Sequence, residues 1–360
     1  MYNIAKGFGI QPCFGIRCRM TRDFMVFLLG AAIPTACIIL LLPSLCPSAG
    51  GIPAERPQLA CNCNTAQLED RGASELSMGA SALRGDDDDL PRLLRSAAME
   101  AGNTVVMTFL NEAWAAPGSL LDLFLESFRE GIKTEPLLKH LVIVTVDQTS
   151  FRRCQEVHEL CYPLAVATNF TEEQTYMSKA YLEMMWVRNK FQTRVLELGY
   201  AFVFTDMDIV WFRNPLLRIP VGADIAISCD QFYGQDPYDV WKNANGGFLY
   251  ARPSARTIAF FKGWYEARTA HPGKHDQDVF DKVKKDLSLR HDVAVHFVDT
   301  AYLGGFCQPK KDFRQLCTFH GNCLTGLRMK LDVLRDLLNQ WKQFKITGRQ
   351  GEKSNTTVQN

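Results

Sequence analysis

Apolar and polar positions in the C-terminal two thirds of the chain follow two alternating periods. Short runs of apolar, β-branched and aromatic residues at 104–110, 140–146 and 201–204 predict buried strands. Between these runs, apolar positions recur every three or four residues at 119–128 and 181–198, which predicts amphipathic helices. Strands that alternate with helices indicate an α/β domain with a mainly parallel sheet, in which ligands bind at the carboxyl ends of the strands.

The N-terminal part has a different pattern. Residues 24–42 are apolar and carry no charge, and this length is enough to cross a bilayer core of about 30 Å. Lys6, Arg17, Arg19 and Arg22 precede this segment. The positive-inside rule therefore predicts a cytoplasmic N-terminus and a lumenal or extracellular remainder. A cleaved signal peptide and a buried core helix are the alternatives, and the long basic region and long apolar run favour an uncleaved anchor.

Composition separates a stem from the folded part. Pro, Gly, Ser and Ala dominate the stretch that follows the apolar segment, and an acidic run closes it, which is typical of a flexible stem. The predicted organisation is a cytoplasmic tail (1–23), a transmembrane signal anchor (24–42), a stem (43–95), an α/β domain (96–345) and a disordered polar tail (346–360).

Charge and cysteine content limit the possible classes of protein. Because 40 Lys and Arg residues balance 39 Asp and Glu residues, a nucleic-acid partner is not expected. Twelve cysteines fit an oxidising compartment, and none of their spacings matches a zinc site. Cys154 and Cys161 are predicted to form a local disulfide, and Cys307 to pair with either Cys317 or Cys323.

The most informative polar positions are Asp206 and Asp208, which lie between the apolar runs 201–204 and 209–212. Buried flanks on both sides argue against a solvated surface. Two carboxylates separated by one residue can converge on Mg²⁺ or Mn²⁺, which leaves coordination positions for phosphate oxygens. A metal in that place stabilises the negative charge of a departing diphosphate.

A phosphatase of the haloacid-dehalogenase type is the alternative for the same residues. Such enzymes also place Asp-x-Asp after a strand, and Asp206 would then be the nucleophile that forms an aspartyl-phosphate. This chemistry needs a lysine and a paired-aspartate magnesium motif further along the chain. Past the apolar segment, adjacent aspartates occur only at 86–89, upstream of the predicted strands, which weakens this interpretation.

A series of short motifs carries a family resemblance. The motifs are 111–114 (NEAW), 123–128 (LFLESF), 204–211 (FTDMDIVW), 245–248 (NGGF), 275–280 (HDQDVF), 304–308 (GGFCQ) and 320–323 (HGNC) with Gly326. In this order they resemble the plant nucleotide-diphospho-sugar transferases of glycosyltransferase family 77. The resemblance implies a GT-A fold, a type II Golgi membrane protein and transfer with retention of anomeric configuration. Activities of the family include arabinosyl transfer to hydroxyproline-rich glycoproteins and xylosyl transfer to pectin, from UDP-sugars.

The resemblance implies a metal site. Asp206 and Asp208 match the family's Asp-x-Asp motif, with Asp208 in direct contact with Mn²⁺ or Mg²⁺ and Asp206 near the ribose and the metal. His320 matches a late histidine that often completes the metal site of GT-A enzymes, and a neutral imidazole is a suitable Mn²⁺ ligand. The chain departs from the family's usual His-Ala-Asn-Cys-Cys at Gly321 and Leu324, which removes one possible disulfide partner.

The resemblance also implies catalytic and donor-binding residues. Asp276 and Gln277 match an Asp-Gln pair beneath the donor's anomeric carbon. Either would shield an oxocarbenium-like transition state, or Asp276 would act as a transient nucleophile. Helix N-capping is the structural alternative for Asp276. The implied donor-binding residues are Asn111, Asp206, Asn245, Gly246 and Gly247.

These interpretations combine into one predicted function. The chain is expected to be a metal-dependent retaining glycosyltransferase that moves arabinose, xylose or galactose from a UDP-sugar to a cell-wall glycoprotein or polysaccharide. The predicted location is the Golgi membrane, with a lumenal catalytic domain and a single N-terminal helix in the membrane. A phosphatase that uses Asp206, and an inactive membrane-anchored binder of glycans or sugar nucleotides, are the alternatives.

Overall fold

The computed structural model describes residues 89–356, apart from Ala167 and Asn169. The predicted anchor at 24–42 lies outside this range, as do the predicted cytoplasmic tail and most of the predicted stem. Within the described range, no helix combines the length and the apolar character that a membrane span requires.

Helices and strands alternate along the described chain. The strands are β1 (Thr104–Leu110), β2 (Leu141–Thr145), β3 (Cys161–Pro163), β4 (Ala201–Thr205), β5 (Ile209–Trp211), β6 (Ile225–Cys229), β7 (Ala244–Ala251), β8 (Val295–Phe297), β9 (Leu303–Gly305) and β10 (Thr318–His320). The α-helices are α1 (Asp89–Ala97), α2 (Glu112–Ala115), α3 (Leu120–Glu130), α4 (Gln148–Val157), α5 (Lys179–Glu197), α6 (Ala255–Ala267), α7 (Asp276–His291) and α8 (Leu327–Thr356), and Glu135–His140 and Pro215–Arg218 are 3₁₀-helical. The predicted strands at 104–110, 140–146 and 201–204 and the predicted helices at 119–128 and 181–198 are confirmed to within two residues at each end.

A seven-stranded sheet with the order β3-β2-β1-β4-β7-β6-β8 forms the centre of the domain. Its neighbouring strands are parallel, except that β7 runs antiparallel to both β4 and β6. The mainly parallel α/β sheet is therefore confirmed, with one reversed strand. Because β4 is central, the residues that follow it lie in the middle of the sheet's carboxyl edge.

A smaller sheet with the order β5-β10-β9 carries the chain away from that edge. Strand β10 pairs antiparallel with β5, and His320 lies opposite Ile209 in the register. Because Ile209 directly follows Asp208, this pairing places a histidine from the C-terminal region beside the Asp-x-Asp motif. The pairing of β10 with β5 is the part of the fold that assembles the site.

The core has two layers, one on each face of the large sheet. Alternate residues of β1 point to opposite faces, as strand geometry requires. Val106 packs on the face that holds Phe128 and Trp341, whereas Met107 packs on the face that holds Trp264. Burial of both faces explains why the strands appear in the sequence as continuous apolar runs.

Both ends of the predicted domain continue into helix. Residues 89–95 fall within the predicted stem, but they begin α1, whose Leu90, Leu94 and Ala97 are buried against the core. At the other end, α8 continues to Thr356, through much of the polar segment that was predicted to be disordered from residue 346. The residues concerned, 89–95 and 346–356, form only two or three helical turns each. Apolar periodicity over so short a segment does not distinguish a helix from a linker.

Two disulfides occur in the described part of the chain. Cys154 is bonded to Cys161, which confirms the predicted local pair. Cys307 is bonded to Cys323 and not to Cys317. Cys317, which directly precedes β10, is a buried free thiol. The bond between Cys307 and Cys323 joins the segment after β9 to the segment after β10.

Trp341 is the side chain on which the packing of α8 depends. It is fully buried, lies against Phe212 and Phe313, and donates its indole N–H to the Glu130 carbonyl at 3.0 Å. We expect Trp341→Ala to lower the free energy of unfolding by about 3–5 kcal/mol, because it leaves a large cavity. Chemical denaturation would measure this. Ile346→Ala on the exposed side of the same helix is the control and should change stability by less than about 0.5 kcal/mol, and equal effects of the two variants would contradict this role.

Candidate active site

The Asp-x-Asp motif forms a tight turn at the carboxyl end of β4. The Asp206 N–H donates to the Gly247 carbonyl at 2.7 Å, and the Ile209 N–H donates back to the Asp206 carbonyl at 3.2 Å. The turn therefore fastens β4 to β7 and then leads directly into β5. Asp208 is almost completely buried, whereas the Asp206 side chain is 28% exposed and faces the cleft.

His320 joins the two carboxylates. Its Nε2 lies 3.1 Å from Asp208 Oδ1 and 3.6 Å from Asp206 Oδ2, and one ligand atom from each of the three residues lies within 4.8 Å of the others. Two carboxylates and an imidazole form a donor set that suits Mn²⁺ or Mg²⁺, which prefer oxygen ligands and, for Mn²⁺, accept a nitrogen. The three predicted metal ligands therefore lie together, and their chemistry fits a divalent cation.

Asn245 sets the tautomer of the His320 ring. The Asn245 Oδ1 accepts from the Gly247 N–H at 2.9 Å, and its Nδ2 donates to Asp230 Oδ1 at 2.7 Å, so the orientation of the amide is fixed. The His320 Nδ1 lies 3.1 Å from the same Oδ1 and must therefore donate a proton to it. In the neutral ring, the lone pair is then on Nε2, which points at the carboxylates. Such outer hydrogen bonds commonly orient the histidine ligands of metal sites.

Gly247 leaves the space that His320 occupies. A Cβ atom at position 247 would lie 2.3 Å from the His320 Cε1 and 2.7 Å from its Nδ1. At the neighbouring Gly246 the nearest side-chain atom, Nη2 of Arg188, would be 3.5 Å away, which is an ordinary contact. The paired glycines therefore have different roles, and only the second is required by the packing of a side chain.

Arg188 connects the metal cluster with the predicted catalytic pair. Its buried guanidinium donates from Nη1 to Asp206 Oδ1 at 3.0 Å and from Nη2 to Asp276 Oδ2 at 2.8 Å. The Gly246 N–H donates to Gln277 Oε1 at 2.8 Å. Asp276 and Gln277 begin α7, and His275 accepts from the Gln277 N–H as the helix N-cap. The predicted catalytic and metal residues therefore belong to one continuous hydrogen-bonded site.

The charges of this site are strongly coupled. Burial alone would raise the pKa of Asp208, but the positive charges of His320 and Lys330 outweigh burial and hold this pKa well below its usual range. Burial raises the pKa of Asp206, because Arg188 offsets only part of the cost and the Asp208 charge adds to it. Burial would lower the pKa of His320, yet the Asp208 carboxylate raises it. The Asp208 carboxylate thus favours a proton on Nε2, the atom that a metal ion would occupy.

Besides Arg188, three residues of the site were not among the predicted ones. Lys330 on α8 contacts Asp208 Oδ2 at 2.7 Å, while Asp230 accepts from Asn322 Nδ2 at 2.9 Å as well as from Asn245. Asp230 directly follows β6, so the same pattern of an acid after an apolar run would have indicated it. Nothing in the local sequence distinguishes Lys330 from the other basic residues of an amphipathic helix.

Asn111 has a structural role at the end of β1. Its Oδ1 accepts from the Trp114 N–H and caps α2, and its Nδ2 donates to the Phe170 and Glu172 carbonyls, each at 3.0 Å. All polar atoms of the side chain are thereby engaged with backbone. The structure brings together the other predicted site residues, but the Asn111 amide is used to hold the loop that contains Phe170 and Glu172.

The fold and the site together define a class of protein. A cluster of two aspartates and a histidine at the carboxyl end of a central strand, beside an Arg-linked Asp-Gln pair, is the arrangement expected of an enzyme that binds a sugar nucleotide through a divalent cation. The chain belongs to the nucleotide-diphospho-sugar transferase family, whose sequence profile matches residues 136–334. It is therefore a glycosyltransferase, and the haloacid-dehalogenase alternative is wrong.

Three similar proteins illustrate the extent of this likeness. An uncharacterized Arabidopsis thaliana protein is 39% identical over 258 residues, which cover 71% of this chain and 68% of that protein. An Arabidopsis thaliana β-arabinofuranosyltransferase is 33% identical over 84 residues, which cover 23% of this chain and 16% of the enzyme. The crystal structure of mouse xyloside xylosyltransferase 1 aligns with a TM-score of 0.38 and 13% identity over 61% of this chain and 98% of the mouse chain, which is too weak for any conclusion.

Gly247→Ala tests the space for His320. We expect the variant to fold but to bind Mn²⁺ about 10- to 100-fold more weakly, because the new methyl group displaces a metal ligand. Isothermal titration with Mn²⁺ would measure the affinity. Gly246→Ala is the matched control, with room for its methyl group, and should bind as the unsubstituted protein does. If both variants kept full affinity, His320 would not be a ligand.

Proposed function

We propose that this chain is a metal-dependent, retaining glycosyltransferase of the GT-A type that uses a UDP-sugar as donor. The observation that carries the proposal is the link from the cluster of Asp206, Asp208 and His320 through Arg188 to Asp276. Through this link, the residues that would hold the diphosphate of a donor and those that would face its sugar keep a fixed position relative to one another. Positioning of this kind is what group transfer from a nucleotide sugar requires.

The balance of charge favours a divalent cation. Asp206, Asp208 and Asp276 bring three negative charges, against two permanent positive charges on Arg188 and Lys330, and the diphosphate of a donor adds more negative charge. Binding such a donor without a cation would place like charges in a partly buried site. Asp206, Asp208 and His320 would hold Mn²⁺ or Mg²⁺, which would stabilise the charge on the departing diphosphate.

Lys330 is suited to hold the same diphosphate. Its ammonium group rests against Asp208 Oδ2, and its pKa is raised by that carboxylate although burial opposes the rise. When Asp208 binds a cation, this ion pair weakens and the ammonium group becomes available to a phosphate oxygen. Lys330 would then exchange one anionic partner for another without leaving the cleft.

The surroundings of Asp276 favour an electrostatic role over a nucleophilic one. Its Oδ2 is paired with Arg188 and its Oδ1 accepts from the Gln277 N–H at 2.9 Å. Burial opposes ionisation of Asp276, but Arg188 and His275 together outweigh burial and lower the pKa of Asp276. A carboxylate held in this way stabilises positive charge at the anomeric carbon, with the Gln277 amide beside it.

Transfer by front-face attack needs no separate base. The acceptor hydroxyl oxygen forms a bond to the anomeric carbon on the face from which the phosphate oxygen departs. The leaving phosphate oxygen takes the acceptor's proton, so that atoms and charge balance and the anomeric configuration is retained.

A relative supports the choice of donor sugar, and the disulfides and the predicted anchor support the cellular location. The arabinofuranosyltransferase relative favours a pentose such as arabinose or xylose, with galactose as a further candidate, and a cell-wall glycoprotein or polysaccharide as acceptor. The disulfides Cys154–Cys161 and Cys307–Cys323 favour an oxidising compartment. Together with the predicted anchor at 24–42, they support a type II protein of the Golgi membrane with a lumenal domain.

Arg188→Lys tests the link between the two halves of the site. A lysine keeps the charge, but a single ammonium cannot donate to two carboxylates in the fixed geometry of a guanidinium. We expect a loss of about 100-fold or more in donor turnover. Rates of UDP release would measure the loss. Arg194→Lys, half exposed on the same helix, is the control and should keep full turnover. Full activity of Arg188→Lys would argue against the link.

The function itself is tested by UDP release from the full chain. The donors are the UDP-sugars of arabinofuranose, arabinopyranose, xylose and galactose, each with Mn²⁺, with Mg²⁺ or with a chelator. We expect metal-dependent release of UDP from one of them, and a release about 100-fold or more slower in Asp208→Asn. Asp336→Asn, on the exposed face of α8, is the control and should leave the release unchanged. Donor binding without release or transfer to any acceptor would favour the inactive binder instead.

A further inference from the structure

The connection between β6 and β7 begins and ends in the active site. This segment, residues 231–243, is here called the aromatic loop. The residues on either side of it are hydrogen-bonded to each other, since Asn245 Nδ2 donates to Asp230 Oδ1 at 2.7 Å. Asp230 also binds Asn322, and Asn245 also binds His320. Both ends of the loop are therefore anchored at the active site.

Large aromatic side chains of this loop are exposed to solvent. Tyr233 is 64% exposed, Tyr238 46% and Trp241 75%. Tyr176 is the other aromatic residue that the described part of the chain exposes to this degree, and its hydroxyl lies 3.2 Å from the Nε2 of His275. Trp241 lies against Lys285 of α7, whose Nζ is 4.7 Å from the centre of its ring, and Tyr238 lies against His296 of β8. Clusters of exposed apolar surface of this kind mark ligand-binding sites.

Hydrogen bonds hold the backbone of the loop in place. Within the loop, the Lys242 side chain is buried, and its Nζ donates to the Asp236 carbonyl at 2.6 Å. The Phe297 N–H donates to the Pro237 carbonyl at 2.7 Å, and the Phe232 N–H donates to Gln308 Oε1 at 3.2 Å. Few rotatable bonds remain to be ordered when a ligand binds. A preordered surface of rings loses little entropy on binding.

The chemistry of the loop suits a neutral saccharide. Tyr and Trp rings present flat apolar faces, with a hydroxyl or an N–H at the edge. A sugar ring has the complementary pattern, with C–H groups on its faces and hydroxyls around its rim. Asp236 and Asp239 lie between the rings in sequence, and one oxygen of each accepts a backbone N–H, from Tyr238 and Trp241 respectively. The second oxygen of Asp236 is an acceptor for such a hydroxyl. The rings are not joined by exposed aliphatic side chains, which an apolar protein partner would require, because Val240 is half-buried.

We propose that the aromatic loop is the acceptor subsite, where Trp241 and Tyr233 stack on the sugar rings of a saccharide acceptor. The inference rests on the proposed function, because it supplies the second substrate of the same reaction. The loop leaves the active site at Asp230 and returns to it at Asn245. A saccharide chain bound there would direct a hydroxyl of its terminal sugar towards the anomeric carbon of the donor.

The test is titration of the full chain, loaded with Mn²⁺ and UDP, with arabino-, xylo- and galacto-oligosaccharides. We expect one of these probes to bind, and Trp241→Ala to raise its dissociation constant about 3- to 10-fold, with a larger increase in Trp241→Ala/Tyr233→Ala. Trp241→Phe keeps a ring and should restore much of the affinity. Leu217→Ala, with a side chain as exposed as Trp241 but outside the loop, is the matched control and should bind normally.

UDP release without acceptor separates this inference from the proposed function. We expect the same acceptor-free release in Leu217→Ala as in the unsubstituted protein, since this release depends on the donor site alone. Loss of metal-dependent release in the unsubstituted protein would overturn the proposed function, whatever the oligosaccharides do. Undiminished saccharide affinity in the double variant, or binding only of a proline-rich peptide at the loop, would overturn the acceptor subsite.

Discussion

Burial of carboxylates at the end of the central strand is the constraint on which the site depends. Asp206, Asp208 and Asp276 are brought close together, and an unpaired buried carboxylate costs several kcal/mol. The chain compensates them with cations from two distant helices, Arg188 of α5 and Lys330 of α8. The positions of these helices are therefore tied to the chemistry of the cleft as well as to the apolar core beneath them.

One carboxylate oxygen of the cleft, Oδ2 of Asp206, has no cationic side chain from the described part of α5 or α8 paired with it. Arg188 satisfies one oxygen of Asp206, while its second oxygen faces Asp208 and His320 across a space of a few ångströms. A divalent cation in this space would relieve the repulsion between the two carboxylates. The same two carboxylates raise the pKa of His320 and form, with its ring, a donor set that fits a cation.

Local patterns in the sequence predicted the parts of this site that are local in space. The turn of Asp206 and Asp208 follows from an apolar strand that ends in acids, and the predicted strands of the sheet are confirmed on the same basis. The Asp276-Gln277 pair and His320 depended on resemblance, because long-range contacts bring them to the turn. The pairing of β10 with β5 places His320 there, and Arg188 and Gly246 hold Asp276 and Gln277. Arg188 resembles the exposed basic residues around it on α5. Its burial is decided by Asp276, which is 88 residues away, and periodicity carries no information at that distance.

The separation of the metal ligands along the chain has a consequence for biogenesis. Asp208 and His320 are 112 residues apart, and β10, which carries His320, is placed only after β5 and β9 are available to pair with it. During synthesis, strands β1 to β4 emerge long before the histidine does, and domains fold from the N-terminal side as they emerge. A nascent chain thus presents its clustered aspartates with neither their histidine nor their lysine. The set of two carboxylates and an imidazole is therefore complete only after the last third of the domain has docked.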